Sequence, residues 1–301
     1  MRYFSTFSGV GGMELLFPKD WELVGYSEWD KYAASVHKYH TPDIKNYGDI
    51  STIEWERVPD FDILTGGSPC QDFSIAGKRR GLGGSRSSLA WEFIRILRVK
   101  KPRHFIWENV TGVMSSRSGW DFANLISAFS EEGYALWWQV LNASDFGVPQ
   151  NRERIFVVGT RADLGSSREV FFEPGRENSD DSESEQGRIV RLFGYSNGEQ
   201  GYAQAQSVLD VSGISTALQT QERGMDAIAV NKDTFRWLMP IEAERVMGWP
   251  DNHTKYGVDE KGETLEISDS QRYKMAGNGC VPQCVKWIIE NVIAAAPTPM
   301  L

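Results

Sequence analysis

Hydrophobic and polar positions follow two different periods along the first 160 residues. Short runs rich in Val, Ile, Phe, Tyr or Trp, bounded by Gly, Pro or Asp, occur at 2–7, 22–27, 61–65, 103–107, 135–141 and 155–159. Such runs predict strands. Between them Leu89, Phe93, Ile96 and Leu97 recur at i, i+4, i+7 and i+8, and Phe122, Leu125, Ile126 and Phe129 at i, i+3, i+4 and i+7, with Gly133 placed to stop the second series. Those spacings gather apolar side chains on one face of a helix. Strand and helix in alternation predict an α/β fold, a mainly parallel sheet with helices on both faces and ligands at the carboxyl ends of the strands.

Beyond residue 160 the pattern changes. Periodicity fades from about 161 to 232, and the stretch 173–187 is too polar to order itself as core. A loop-rich insertion or second domain is expected there. Regular structure returns at Pro240-Ile241-Glu242-Ala243-Glu244-Arg245-Val246-Met247-Gly248-Trp249-Pro250, where Pro240 suits a first helical turn and Gly248 a C-terminal cap. A final helix is expected after Pro282. The division expected is thus 1–160 for a catalytic and cofactor-binding part, 161–235 for a second domain, and 236–301 for a return segment completing the first.

Composition narrows the class. The chain of 301 residues is 41% hydrophobic, ordinary for a globular fold, and has neither a long apolar run nor the basic flank and apolar stretch of a signal peptide. No membrane partner and a cytoplasmic location are expected. Three cysteines (Cys70, Cys280, Cys284) are too few for a disulfide framework, and His37, His40, His104 and His253 do not join them at zinc-ligand spacing, so no metal is expected. The net charge of −9 taken alone argues against a nucleic-acid partner, but the charge is segregated. Between Cys70 and Arg103 nine basic residues face two acidic ones, whereas between Glu173 and Glu185 six acidic residues face one Arg. One sign per region is what a polyanion-binding face needs.

Candidate chemistry clusters at strand ends. Phe7-Ser8-Gly9-Val10-Gly11-Gly12 follows a strand and is expected to precede a helical stretch, so it is either a bare tight turn or a loop whose amides approach a ligand. Glu28, 19 positions after Gly9 at the end of the next strand, sits where such folds place a carboxylate for ribose hydroxyls. Trp29 can stack on an adenine face and Asp49 can accept from an adenine amine, unless they are a packed aromatic and a solvated acid.

Cys70 follows the turn Gly66-Gly67-Ser68-Pro69 after an apolar strand, a placement unlike that of a buried, inert cysteine. Nearby cations lower a thiol pKa; a fall from about 8.5 to about 7 ionises half of it at neutral pH for roughly 2 kcal/mol. The loop from Ser74 through Lys78, Arg79, Arg80, Ser85 and Arg86 to Ser88 is either a disordered basic surface loop or a lid that closes on phosphates. Glu108, ending an apolar strand, is either a paired structural carboxylate or a functional acid. Arg152 and Arg154, two apart in an extended segment, either hold that carboxylate and a carbonyl or form an ordinary surface salt bridge. Cys280 and Cys284 read as packing residues near a helix start.

Together these segments resemble the DNA (cytosine-5)-methyltransferase family. The matches, in the family's order, are Phe7 to Gly12, Glu28-Trp29-Asp30, Gly48-Asp49-Ile50, Pro69-Cys70-Gln71, Glu108-Asn109-Val110, Gln150 to Arg154, Glu244 to Gly248 and Gly277-Asn278. The resemblance implies a Rossmann-like S-adenosylmethionine-dependent methyltransferase fold with a small target-recognition domain. It implies methyl transfer to carbon 5 of cytosine in duplex DNA, with S-adenosylhomocysteine as product. Cys70 would add to carbon 6 of a cytosine flipped out of the duplex, Glu108 would engage ring N3 and the exocyclic amine, and Arg154, supported by Arg152, would bind the base carbonyl. Phe7, Gly9, Gly11, Glu28, Trp29, Asp49, Ile50, Pro69 and Asn278 would line the cofactor pocket.

The family's stand-alone bacterial and phage members further imply a monomer, and a restriction endonuclease encoded separately as a partner. Two departures stand out: Ser5-Thr6-Phe7 replaces a segment in which many members carry an acidic residue, and the recognition region is short, which points to discrimination of few bases. Gln204, Gln206, Gln219, Gln221 and Arg223 are its candidate base readers. An RNA cytosine methyltransferase is the nearest rival. The RNA class with its nucleophile in the later strand-end motif is disfavoured because that motif here reads Glu108-Asn109-Val110. Amino-group methylation lacks its Asp-Pro-Pro-Tyr or Asn-Pro-Pro-Phe element, and a silent DNA-binding relative is disfavoured by intact Cys70, Glu108, Arg152 and Arg154.

Overall fold

The computed structural model describes residues 1–69, 89–164, 208–210, 215–216, 227–231 and 234–293. Cys70, the basic loop with Ser74, Lys78, Arg79, Arg80, Ser85 and Arg86, the acidic stretch, and Gln204, Gln206, Gln219, Gln221 and Arg223 lie outside the described residues.

The first part of the chain runs β1 (Arg2–Thr6), β2 (Glu22–Ser27), α1 (Lys31–His40), β3 (Ile63–Gly66), α2 (Leu89–Lys100), β4 (His104–Val110), α3 (Trp120–Glu131), β5 (Tyr134–Asn142), β6 (Gln150–Asn151) and β7 (Glu153–Arg161). Six of these strands form one sheet in the order β2-β1-β3-β4-β7-β5. Pairing is parallel from β2 to β4, and β7 runs antiparallel to both β4 and β5. The exception has a simple cause. The link from Asn142 to Glu153 holds only a short 3₁₀ turn and β6, too little chain for the crossover a parallel return needs.

Alternate residues of the central strands feed two cores. Tyr3, Ile63, Ile106, Phe156 and Val158 point to one face, and Phe4, Leu64, Phe105, Trp107, Ile155 and Val157 to the other. On the second face α2 and α3 bury Phe93, Ile96, Leu97, Leu125 and Phe129, the periodic positions of the sequence. The first face is covered by α1 and by the return segment, which comprises α4 (Pro240–Val246), β12 (Tyr256–Val258), β13 (Thr264–Glu266), α5 (Asp269–Asn278) and α6 (Pro282–Ile288). Before it come β8 (Val208–Asp210), β9 (Ser215–Thr216), β10 (Ala227–Asn231) and β11 (Thr234–Trp237); β8, β10 and β11 make a sheet of their own, and β9 pairs with β6. Among the described residues no helix is long and apolar enough to cross a membrane.

One local expectation fails. After Phe7 to Gly12 the chain forms consecutive turns, closed by Gly11 N–H to Ser8 O (3.0 Å) and Phe17 N–H to Glu14 O (3.0 Å), and not a helix. Phe7, Gly9 and Gly11 have positive φ, 50°, 56° and 77°, so the chain enters this stretch in a non-helical conformation, and Pro18 removes a donor at its end. The first α-helix begins only after Asp30, whose carboxylate caps it by accepting from Tyr32 N (2.9 Å) and Ala33 N (3.2 Å).

Three histidines are buried within this frame. Burial, reinforced by neighbouring positive groups, holds His37 down at about 3 and His104 and His253 at about 4. An unfolded histidine takes a proton near pH 6.5, so below that pH the unfolded chain binds more protons than the folded one. Their contribution to stability is therefore full above about pH 6.5 and drains away as the pH falls toward 4. His104→Gln, at the start of β4 away from Glu108, removes one such share, so the difference in urea midpoint between parent and variant is expected to change steadily, in the direction that favours the variant, from pH 7.5 down to 4.5.

Candidate active site

Beyond the carboxyl ends of β1, β2, β3 and β4 lies a cavity of about 940 Å³. It is lined by Phe7, Gly9, Glu28, Trp29, Asp49, Ile50, Pro69, Glu108, Arg152, Arg154 and Asn278, all expected from the sequence, so two groups of candidates meet in one space. Gly11 does not line it. It sits behind the wall, where a Cβ would fall 3.3 Å from the His37 ring.

The nucleotide-like end is organised by Glu28. One carboxylate oxygen accepts from Gly9 N (2.7 Å) and the other from Asp30 N (2.7 Å), tying the glycine-rich loop to the end of β2. Asn46 completes the tie by accepting from Glu28 N (3.1 Å) and Gly48 N (2.9 Å) and donating to Glu28 O (3.1 Å). Burial pushes the Glu28 carboxyl above its ordinary range while the amides oppose it. Trp29 beside it is 78% exposed, an uncovered aromatic face at the cavity edge. Asp49 caps a short 3₁₀ turn through Ser51 N (2.9 Å), and Ile50 in that turn is buried.

The opposite end is built on β4 and β7. Arg154 Nε lies 3.1 Å from Glu108 Oε1, and both side chains are largely buried. Burial raises the Glu108 carboxyl above its ordinary range, and Arg154 and then Arg152 pull it back. Burial and the two guanidinium groups thus act on this carboxyl in opposite senses. Its neighbours in sequence anchor the approach to Cys70: Trp107 Nε1 donates to Ser68 Oγ (3.2 Å) and Asn109 Nδ2 to Ser68 O (2.7 Å). A Cβ on Gly67 would fall 2.7 Å from Glu108 Oε2, so only glycine lets the carboxylate and this turn coexist.

Arg152 departs from its expected partnership. Its Nη2 donates to Gly277 O (3.0 Å) and Gly279 O (2.6 Å), and the residue is 3% exposed, so its hydrogen bonds fasten the C-terminal end of α5 while Arg154 makes the close ion pair with Glu108. Cys284 is buried as expected, whereas Cys280 also lines the cavity. Burial and the nearby Glu108 carboxylate push the Cys280 thiol well up, so it stays protonated. Sequence reasoning passed over Trp249 and the Lys274–Asp30 ion pair (2.8 Å), which also line the cavity. Trp249 directly follows the matched Gly248, a usable signal; Lys274 carries none, because its partner lies 244 residues away.

The chain is similar to known methyltransferases over most of its length. The family model of C-5 cytosine-specific DNA methylase matches residues 1–231. The Type II methyltransferase M.HhaI of Haemophilus parahaemolyticus is 33% identical over 323 residues, covering 97% of this chain and 94% of that protein. An orphan methyltransferase of Bacillus phage rho11s is 42% identical over 181 residues, 58% of this chain, and the match spans only 36% of the phage protein's length. Among solved structures, the Dnmt2 methyltransferase of S. pombe shares the fold, with a TM-score of 0.69 at 18% identity over 96% of this chain and 97% of that one. On the strength of the family match and the near full-length relative, this chain belongs to the C-5 cytosine-specific DNA methylase family.

Proposed function

We propose that the protein methylates carbon 5 of cytosine in duplex DNA, with S-adenosylmethionine as donor and Cys70 as nucleophile. The observation that carries the reading is the shared cavity, with the Glu28 and Trp29 set at one end and the Glu108 and Arg154 pair at the other. Its size and donor set suit a nucleoside cofactor: a buried carboxylate for ribose hydroxyls, an uncovered indole for a purine, and glycines where the chain must come close. Phe7, Gly9, Glu28, Trp29, Asp49, Ile50, Pro69 and Asn278 would hold it, with Gly11 supporting the loop from behind. Bound there, S-adenosylmethionine supplies an electrophilic methyl group on a sulfonium centre.

The chain's own residues act on the base. Cys70 follows Pro69, a cavity-lining position, directly in the sequence, which supports it as the nucleophile. Addition of its thiolate to carbon 6 forms a sulfur–carbon bond and moves the C5–C6 π electrons onto carbon 5 and the ring. Glu108, with its proton affinity lifted by burial, holds a proton toward ring N3 and offsets that charge, while Arg154 holds both Glu108 and the base carbonyl. Carbon 5 would then take the methyl group, and loss of the carbon 5 proton to a base such as water would re-form the C5–C6 double bond and release the Cys70 thiolate. A stacked base cannot reach this cavity, so the cytosine must be flipped out at a cost of a few kcal/mol. Ser74, Lys78, Arg79, Arg80, Ser85 and Arg86 are proposed to contact phosphates around it, and Gln219, Gln221 and Arg223 to read flanking bases from a recognition domain at 161–235. A monomer in the cytoplasm, paired with a separately encoded endonuclease, completes the proposal.

Purified protein is expected to transfer labelled methyl from S-adenosylmethionine to duplex DNA, with bisulfite sequencing showing protection within one short motif; transfer to RNA alone would refute the DNA reading. Cys70→Ser is expected to abolish transfer and keep DNA binding, and DNA carrying 5-fluorocytosine to trap a covalent adduct with the parent protein but not with that variant. Gly67→Ala, which crowds the Glu108 carboxylate, is expected to lower the single-turnover rate by about 10²-fold while changing the dissociation constant for S-adenosylmethionine little.

A further inference from the structure

The methyl-donor half of the cavity has two walls that are far apart in sequence, Ser8 to Gly12 after β1 and Gly277 to Cys280 at the C-terminal end of α5 and just beyond it. Both meet the segment from Trp249 to His253. A Cβ on Gly12 would fall 2.8 Å from the Trp249 ring, and one on Gly279 would run into the same ring, so the indole is wedged between the two walls and only glycine fits on either side. Trp249 is 4% exposed, and its Nε1 donates to Cys280 O at 3.0 Å. His253 Nε2 donates to Val10 O at 2.9 Å, which identifies the proton-bearing nitrogen of a neutral ring. The two rings touch, with centroids 5.6 Å apart, and His40 stacks on His253 at 4.3 Å while donating to its carbonyl.

We propose that Trp249 and His253 are positioning residues that set the gap between the two walls and thereby the affinity for S-adenosylmethionine. The inference rests on the methyl-donor reading of this cavity. Each wall is held by a hydrogen bond to a backbone carbonyl from the same short segment. The far side of the second wall is closed by Arg152, which takes the carbonyls of Gly277 and Gly279. With the carbonyls of 277, 279 and 280 all engaged, Asn278 between them is fixed in place. Preorganised walls spare the cofactor the cost of ordering them on binding. The reacting groups on this reading remain Cys70, Glu108 and Arg154.

The test is S-adenosylmethionine binding to the full chain by equilibrium dialysis without DNA, alongside single-turnover methylation at saturating cofactor and DNA. Trp249→Phe keeps much of the wedge and loses the N–H, and His253→Phe keeps the stacked ring and loses its donor. Each is expected to raise the cofactor dissociation constant about fivefold, the loss of one neutral hydrogen bond, with the saturated rate within twofold of the parent and DNA binding unchanged. Trp249→Ala is expected to weaken cofactor binding further than Trp249→Phe. Variants that melt like the parent yet bind the cofactor within twofold of it overturn the proposal, as does a loss confined to the saturated rate. Should Trp249→Phe fail to fold, His253→Phe decides alone. A parent protein that binds no S-adenosylmethionine refutes the methyl-donor reading itself, a different failure from normal parent binding with unaffected variants.

Discussion

The site depends on keeping one carboxylate out of water. Glu108 lies near the end of β4 with its side chain largely buried, and an isolated charge there would be costly. Arg154 on the antiparallel neighbour β7 makes that burial tolerable at 3.1 Å, and leaving such a pair half made typically costs about 3–5 kcal/mol. The antiparallel register that sets Val110 opposite Arg154 and Glu108 opposite Phe156 brings the two side chains together diagonally. The reversed direction of β7 is therefore part of the chemistry as well as of the topology.

Around that pair the backbone is drawn in by side chains that hold main-chain groups. Trp107 and Asn109 grip Ser68, Glu28 grips the amide of Gly9, and Arg152 grips the carbonyls of Gly277 and Gly279 at the end of α5. These interactions join segments that are distant in sequence, and backbone fixed this way loses less entropy when a ligand arrives. Phe7, held at φ 50° in a region that bulky residues avoid, shows that the first of these loops is under backbone strain where it meets the cavity.

The return segment has a role beyond covering the sheet. Residues from 238 to 293 complete one core, and through Trp249 and Lys274 they also line the cavity, while His253 holds the Val10 carbonyl behind it. The wall glycines, Gly12 and Gly279, are small because the Trp249 ring occupies the room a side chain would need.

The amino-acid sequence alone marked the main strands and two of the amphipathic helices, α2 and α3, of the first 160 residues, because burial on one or two faces writes a period of 2 or 3.6 into the chain; it did not mark α1. It also marked Glu28, Glu108 and Arg154, since functional groups at strand ends follow apolar runs directly. It misjudged the segment after Gly12, which forms consecutive turns where composition allows a helix. It did not show that Arg152 also holds the carbonyls of Gly277 and Gly279, and it gave no role to Trp249 or Lys274, because these contacts join positions 31 to 244 residues apart. Only the folded chain decided those pairings: spacing along a strand or helix reports which face a side chain occupies, whereas the neighbour it meets is set by how distant segments pack.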